Sequence, residues 1–443
     1  MSHSLNKTLS PLKLWGIVVG MVISGMYFGW NYALQYTSPI GFILTVLLIT
    51  LFYTTFMFSY AELSTAIPHA GGAMEFAKRT MGSFGGFITG FAVFLEFLFA
   101  VPAIALSIGA YINFIIPAIP TVAAAVVVYA IFVYINCLGV ETAASVELFV
   151  TIVAIVGIAI FVGGGIGHIK MTNIVTKDIF FGGLPGIFAA IPFGIWFYLA
   201  AEGGAMAAEE VKNPKRDIPL GFNLGIITLA ILAVLTLLIT TGISDVSKIN
   251  NVDSPLPSAL AAIYGDNSIF SKILSFIGLF GLIASLHGII IGYSRQAFAM
   301  AREGYFPYFL SYTTKKTKTP ITAIILPSLI GLVFVLTKAT ATIIVISVIG
   351  AVVLYIMSMI SFFRLRKQEP NLERPYKVTH ISMPIIALVI AFIFAIAVVY
   401  ANMATMLWVL LTFVLAAIYY VIFCKSYMKK VSDLKINLQT EES

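Results

Sequence analysis

The chain has 443 residues, of which 60% are hydrophobic and only 10% charged, with a mean hydropathy of +1.01. Soluble domains run at roughly 45–50% apolar and about 25% charged, and disordered chains are more polar still, so the composition excludes an ordinary cytosolic enzyme and an unfolded chain. The net charge of +7 is carried in short segments between apolar runs, the pattern of membrane flanks rather than of a nucleic-acid surface, so the partners expected are a lipid bilayer and a small molecule, not nucleic acid.

A spanning helix needs about 20 apolar residues. Taken in chain order, apolar runs fall near 14–36, 40–66, 85–116, 120–139, 143–166, 183–207, 218–243, 270–301, 321–337, 341–363, 382–401 and 403–424. They are continuous and lack the alternation of a barrel strand. The expected fold class is therefore an all-α integral membrane protein of about twelve transmembrane helices. The first run is too long for a cleaved signal and is kept as a span. Residues 1–13 read as a short polar N-terminal segment, 14–425 as one transmembrane domain and 426–443 as a charged tail, with no appended soluble domain. Of the 26 Lys and Arg, 21 fall on the side of the two termini, so the positive-inside rule puts both termini in the cytoplasm. Cys137 and Cys424 lie in or beside apolar runs and suggest neither a disulfide nor a metal site, and the five histidines show no ligand spacing.

Two runs are interrupted. The first, GIVVGMVISGMYFGW, carries Gly16, Gly20, Gly25 and Gly29, and the sixth, GGLPGIFAAIPFGIWFYLAAEGG, carries Pro185, Pro192, Gly194, Gly203 and Gly204. Glycine and proline weaken a helix, and in lipid the freed backbone groups are tolerated only where protein or a water-filled cavity satisfies them. Glycines in the first run alone would suit close helix packing. Because the two runs stand five helices apart, the pair reads instead as matched broken helices, the sequence mark of a transporter binding site.

Four motifs carry a family resemblance: AELSTAIPHAGG with Glu62, Pro68, Gly71 and Gly72; AAEEVKNPKRDIP with Glu210, Lys212, Asn213, Pro214, Arg216 and Pro219; AREGYFP followed by Thr319-Pro320; and ERPYK at 373–377. In this order the chain resembles the amino acid–polyamine–organocation superfamily of secondary transporters. Through VISGMYFGW, PFGIWFYLAAEGGAMAAEE and LIASLHGIIIGYSRQAFA it is most similar to bacterial ethanolamine permeases. Met26 departs from the pattern, since some relatives carry an acid there. The resemblance implies a five-plus-five inverted repeat, about 14–166 and 183–363, with two extra helices over 382–424. It further implies substrate held between the first and sixth helices and a gating acid at Glu202. Some relatives place a lysine in the fifth helix; this chain has none there, which leaves sodium, protons or exchange as the coupling mode.

The candidate substrate-binding residues are Ile23, Ser24, Gly25, Met26 and Tyr27 at the first break, Trp196, Phe197, Tyr198 and Leu199 at the second, and Glu96, Glu202 and His287. Exposed amides at a half-helix start suit a carboxylate, exposed carbonyls a cation, and aromatic faces an ammonium. Carboxyls at membrane depth are costly, so Glu96 and Glu202 must face the bundle interior and meet a proton or an ammonium. His287 suits a helix–helix hydrogen bond as readily as a functional role. Glu62, Arg216 and Arg374 read as structural or gating residues on the cytoplasmic side. The function expected is secondary transport of a small amine or amino acid across the inner membrane by alternating access, with an amino acid exchanger or a proton-coupled permease as alternatives. No resident cofactor is expected. A membrane enzyme would need clustered catalytic groups, and a channel repeated motifs; the sequence shows neither.

Overall fold

Ser-Pro and Pro signals open several helices. Ser10 and Ser38 accept hydrogen bonds from Lys13 N (3.4 Å) and Gly41 N (3.1 Å), and Pro11 and Pro39 follow them as first helical residues. The computed structural model describes residues 7–139, 144–265, 267–314, 317–424 and 426–428. The first six residues of the expected N-terminal segment and the C-terminal tail beyond 428 lie outside the described residues, as do Lys315, Lys316, Lys425 and the start of the run at 143.

The helices in order are α1 (Pro11–Val22), α2 (Ser24–Tyr27), α3 (Pro39–Ala66), α4 (Ala73–Ile115), α5 (Thr121–Cys137), α6 (Ala144–Gly165), α7 (Met171–Ile174), α8 (Gly183–Ile195), α9 (Pro214–Ile243), α10 (Pro255–Tyr264), α11 (Ile269–Arg302), α12 (Ile321–Thr337), α13 (Thr340–Gln368), α14 (Ser382–Ala401) and α15 (Met403–Tyr419). Among the described residues there is no strand, only one bridge between Leu9 and Val211. Each of the twelve apolar runs contains a helix. Among the described residues, eight helices are long and apolar enough to cross a membrane, or nine if the bent pair α1 and Ser24–Gln35 counts as one span; α5, α8 and α12, at 13–17 residues, fall short of that length. The run at 85–116 belongs to a longer element, because α4 continues back to Ala73 through a kink at Gly82 (φ 76°, ψ −177°). The segment between α9 and α11 holds the ten-residue helix α10.

Position in the bundle follows from side-chain chemistry. α4 is the most enclosed span, with 89% of its apolar window buried against α13 and α11, whereas only 22% of that of α15 is covered. Outward-facing Phe149, Val333, Ile396 and Trp408 are apolar, as a surface solvated by acyl chains requires. α1 runs between α9, α6 and α11, and α8 between α3, α14 and the 3₁₀ turn Trp30–Gln35. This arrangement brings the two interrupted runs together at the middle of the bundle.

Candidate functional site

The first break is made by Ile23 alone. It ends α1, and the following segment departs from it at 41°. The chain then makes one helical turn, α2, before Phe28 extends (φ −163°) and Gly29 takes φ 92°. Gly25, expected in non-helical backbone, is therefore inside a helical turn; the residues outside helical geometry are its neighbours Phe28 and Gly29. The polar groups freed at the break are mended by Ser285 of α11, which accepts from Ser24 N (3.0 Å) and donates to Gly20 O (2.7 Å). Farther along, Met26 O accepts from Trp30 Nε1 (3.3 Å), and Gly29 N donates to Asn31 Oδ1 (2.9 Å).

The second break follows α8. Pro192 lacks an amide and weakens the last turn, and the helix stops at Ile195. Trp196, Phe197 and Tyr198 continue as tight turns, Ala200 takes a left-handed conformation (φ 74°), and a 3₁₀ helix covers Ala201–Glu210. Ten residues of 3₁₀ helix are uncommon, and a left-handed alanine costs about 1–2 kcal/mol; both mark backbone held under strain. Tyr198 shares a hydrogen bond with Thr50 (2.6 Å) and stacks on Tyr53, while Phe197 stacks on Trp30 and Trp196 meets the edge of Phe28. Leu199 is buried beside them.

The breaks touch backbone to backbone. A Cβ on Gly25 would overlap the carbonyl oxygen of Trp196, and one on Gly29 would overlap the Trp196 indole. Only residues without a side chain allow this approach.

Two acids close the site from below and beside it. Glu96, at the middle of α4, is 0% exposed and Glu202, second residue of the 3₁₀ helix, is 2% exposed. Their carboxyls are neighbours, and the Ala200 amide is turned toward Glu96. None of their four oxygens reaches hydrogen-bond geometry with any partner, and the Trp196 Nε1 donor is equally unsatisfied. A cavity of about 10 Å³, the room of one water, adjoins Glu202 between Tyr60, Phe97, Met206 and Leu354. The site is thus shut in this conformation. Glu96 is fixed from behind, where its carbonyl accepts from Ser347 (2.6 Å) and α13 presents Gly350 to its Cα.

Not every expected residue converges here. Tyr27 donates to Ala154 O (2.6 Å), and its own carbonyl accepts from Tyr111 (2.8 Å), so its ring is committed to α6 and α11. His287 faces α5, with Asn136 at 3.1 Å and Phe132 beside it, on the side of α11 opposite to Ser285. No set of three His, Cys, Asp or Glu groups as metal ligands among the described residues.

Seals stand on either side. On the Lys- and Arg-rich side, Glu62 accepts two hydrogen bonds from Arg366 (2.9 and 2.6 Å) and one from Val378 N, with Arg374 at 3.7 Å. Leu9 pairs with Val211, and Glu210 O accepts from Thr8 N and Leu9 N, which ties the N-terminal segment across the end of the 3₁₀ helix. Arg216 is exposed. On the other side, Asp253 accepts from Tyr32 (2.6 Å) and Thr340 (3.1 Å), Ser107 donates to its carbonyl, and Asn31 donates to Ile249 O and Val252 O. Burial pushes the Asp253 carboxyl above its ordinary value, and the bonds from Tyr32 and Thr340 pull it partly back. Arg366 and Asp253 were not singled out in the sequence. Asp253 carries only the weak signal of an acid next to a helix-opening Ser-Pro.

Comparison with known proteins bears on this arrangement. An uncharacterised transporter of Rhizobium meliloti is 27% identical over 93% of this chain and 91% of its own length. The branched-chain amino acid permease BcaP of Bacillus subtilis is 25% identical over 84% of each chain, and the methylthioribose transporter of the same organism 26% identical over 87% of each. The amino acid permease family profile matches residues 14–435, which takes in both interrupted helices and both acids: the chain belongs to the amino acid permease family, a family of multi-pass membrane transporters.

Proposed function

We propose that this protein is a secondary active transporter that carries a small amino acid or amine, ethanolamine-like at its ammonium end, across the cell (inner) membrane by alternating access. The observation that carries the reading is the set of unsatisfied buried groups at the crossing of the two broken helices: the carboxyls of Glu96 and Glu202 and the indole N–H of Trp196. Buried polar groups are nearly always paired, so unpaired carboxyl oxygens and an unpaired indole N–H on and against the second broken segment mark where a ligand completes the structure. Two acids and one donor fit an ammonium and one acceptor atom. Two relatives of broadly similar length, the amino acid permease BcaP and the methylthioribose transporter, support transport of a small organic solute.

In this reading the chain crosses the membrane twelve times with both termini cytoplasmic. α1 with α2 and α8 with its 3₁₀ continuation hold matching places in two inverted halves of five helices, and the last two helices stand outside them. Ile23 to Tyr27 and Trp196 to Leu199 shape the site, with Gly25, Trp196 and Phe197 nearest the crossing, while His287 serves the α5–α11 contact. The Glu62–Arg366 network closes the cytoplasmic side and the Asp253 latch the outer side.

The test is a thermal-shift screen of the purified chain against amines and amino acids, followed by uptake of any stabilising compound into proteoliposomes. A ligand that binds only the folded state raises its apparent stability. Saturable uptake that falls at least tenfold in Glu202→Gln is the expected result. Uptake unchanged by that substitution contradicts the site.

A further inference from the structure

We infer that the groove between α4, α15 and the segment after α11 is a binding site for one anionic phospholipid, with an acyl chain along its floor and the phosphate at Arg302. The groove is separate from the crossing of the broken helices, and the inference does not rest on what the protein transports.

The groove has a volume of about 350 Å³, within the roughly 300–1,000 Å³ of small-ligand sites. Phe87 and Phe91 of α4, Phe306 and Leu310 after α11, and Leu415 and Tyr419 of α15 line it. It stays open because its rings hold one another. Phe87 stacks on Phe91 (6.3 Å between centroids) and meets Tyr305 edge-on (5.8 Å), Phe91 meets Phe413 (5.2 Å), and Phe306 meets Phe94 (5.3 Å). Rings fixed in this way cannot swing in to fill the space, and an unfilled groove forfeits dispersion contacts along its walls. In a bilayer the molecule at hand is an acyl chain. The groove follows α15 from Tyr419 to Thr412, about 10 Å at 1.5 Å per residue.

An acyl chain gains little by leaving other acyl chains for an apolar wall, so selectivity has to come from the polar end of the lipid. Two groups mark that end. Tyr419 Oη is buried and has no hydrogen-bond partner, although its ring lines the groove. A phenol near the end of a spanning helix, at headgroup level, can donate to an ester or phosphate oxygen. Arg302, in the last turn of α11, is exposed, and no ion pair found among the described residues includes it. Its guanidinium lies over Phe298 (5.6 Å to the ring centre), and Phe298 packs on the same core of Ala297, Ala301 and Leu310 as Phe306 of the groove wall. The neighbouring acid, Glu303, is held by Lys78 (2.6 Å). The chain just after α15 is tied to the same place: Cys424 Sγ donates to Tyr305 O (3.2 Å), and Met428 lies against Gly304. In sequence, Lys429 and Lys430 follow Met428. The rim is therefore cationic, on the side that holds 21 of the 26 Lys and Arg. A guanidinium beside a basic segment at headgroup level favours a phosphate with net negative charge over a zwitterion. Only 22% of the apolar window of α15 is covered by protein, so a lipid held in the groove also fastens that helix to α4.

The experiment uses the detergent-purified full chain and two probes with the same acyl chains, phosphatidylglycerol and phosphatidylcholine. Native mass spectrometry should show one phosphatidylglycerol retained per chain under activation that strips phosphatidylcholine. Phosphatidylglycerol should also raise the thermal midpoint more than phosphatidylcholine does. Arg302→Gln should reduce that preference about tenfold, as loss of a charged hydrogen bond does. Thr412→Trp, which fills the groove from an exposed position, should lose retention of both lipids. Should that variant fail to fold, a phosphatidylglycerol with a photoreactive group in its acyl chain decides on the wild type: cross-links to Phe91 or Leu415 support the site, and cross-links confined elsewhere overturn it. Equal retention of the two lipids, or a preference unchanged in Arg302→Gln, overturns it as well. Absence of any adduct also overturns it and leaves the groove to the chain's own C-terminal segment or to a second copy. Glu202→Gln should retain the lipid as the wild type does, so failure of the transport site and failure of the lipid site are read separately.

Discussion

At the scale of single residues, Gly25 and Ala200 make the most specific demands. Gly25 allows α2 to lie on the carbonyl of Trp196, and a methyl group there would overlap a backbone atom rather than a flexible side-chain end. Gly25→Ala is expected to cost about 1–3 kcal/mol of stability as the breaks are pushed apart, and to weaken ligand binding by more than its effect on folding explains. Thermal unfolding with and without ligand measures both. Ala200 offers the converse. It sits left-handed without the freedom of glycine, so Ala200→Gly should stabilise the empty protein by up to about 1 kcal/mol. If the strain serves the site by holding the amide toward Glu96, the same substitution loosens binding; unchanged stability would show the left-handed turn to be unstrained.

At the scale of elements, the broken helices depend on partners that the sequence does not show side by side. Ser285 closes two open backbone groups of the first break. Ser285→Ala should cost about 1–3 kcal/mol, because both Ser24 N and Gly20 O lose their partner in a buried place. Across the outer side, Tyr32 of the segment after α2, Thr340 of α13 and Ser107 of α4 all converge on Asp253. Releasing that residue frees three elements at once. Tyr32→Phe is expected to raise the reactivity of a cysteine placed at Asn31 toward an outside thiol reagent, with no change in expression. The Asp253 carboxyl is raised by burial from an ordinary value of 3.8, so the folded latch holds a proton more tightly than the unfolded chain does. Its contribution is then greatest at low pH and declines as pH rises above 3.8. Labelling at the latch should accelerate with pH in the wild type and lose that dependence in Asp253→Asn.

At the scale of the whole molecule, helices and breaks were legible in the sequence, and the meeting of side chains was not. Apolar runs report burial or lipid contact directly, so each of the twelve runs contains a helix. Clustered glycine and proline report weak hydrogen-bond ladders, so Trp196 to Leu199 fall where the second break is. Boundaries inside a break were less legible. Gly25 was expected to be unwound, yet α2 makes a full turn there because Ser285 supports its start and the glycine is needed for clearance. The pairing of Glu96 with Glu202 joins α4 to the 3₁₀ helix across the bundle, and nothing local in either segment encodes it. Tyr27 and His287 commit their side chains to Ala154 and Asn136, partners the sequence does not announce, for the same reason: residue type gives chemistry, while the face of the helix decides which neighbour receives it. The seal at Asp253 likewise depends on four segments that only the fold gathers.

The central claim is that the crossing of the two broken helices, with Glu202 at its floor, is where the transported molecule binds. The most direct measurement is uptake into proteoliposomes of the compound that most stabilises the purified chain, compared between wild type and Glu202→Gln at equal reconstituted amounts. The account predicts saturable uptake in the wild type and a loss of about tenfold to a hundredfold in the variant, the range that a charged hydrogen bond of about 1.5–3 kcal/mol gives. Equal uptake, with equal affinity and equal pH dependence, would contradict it.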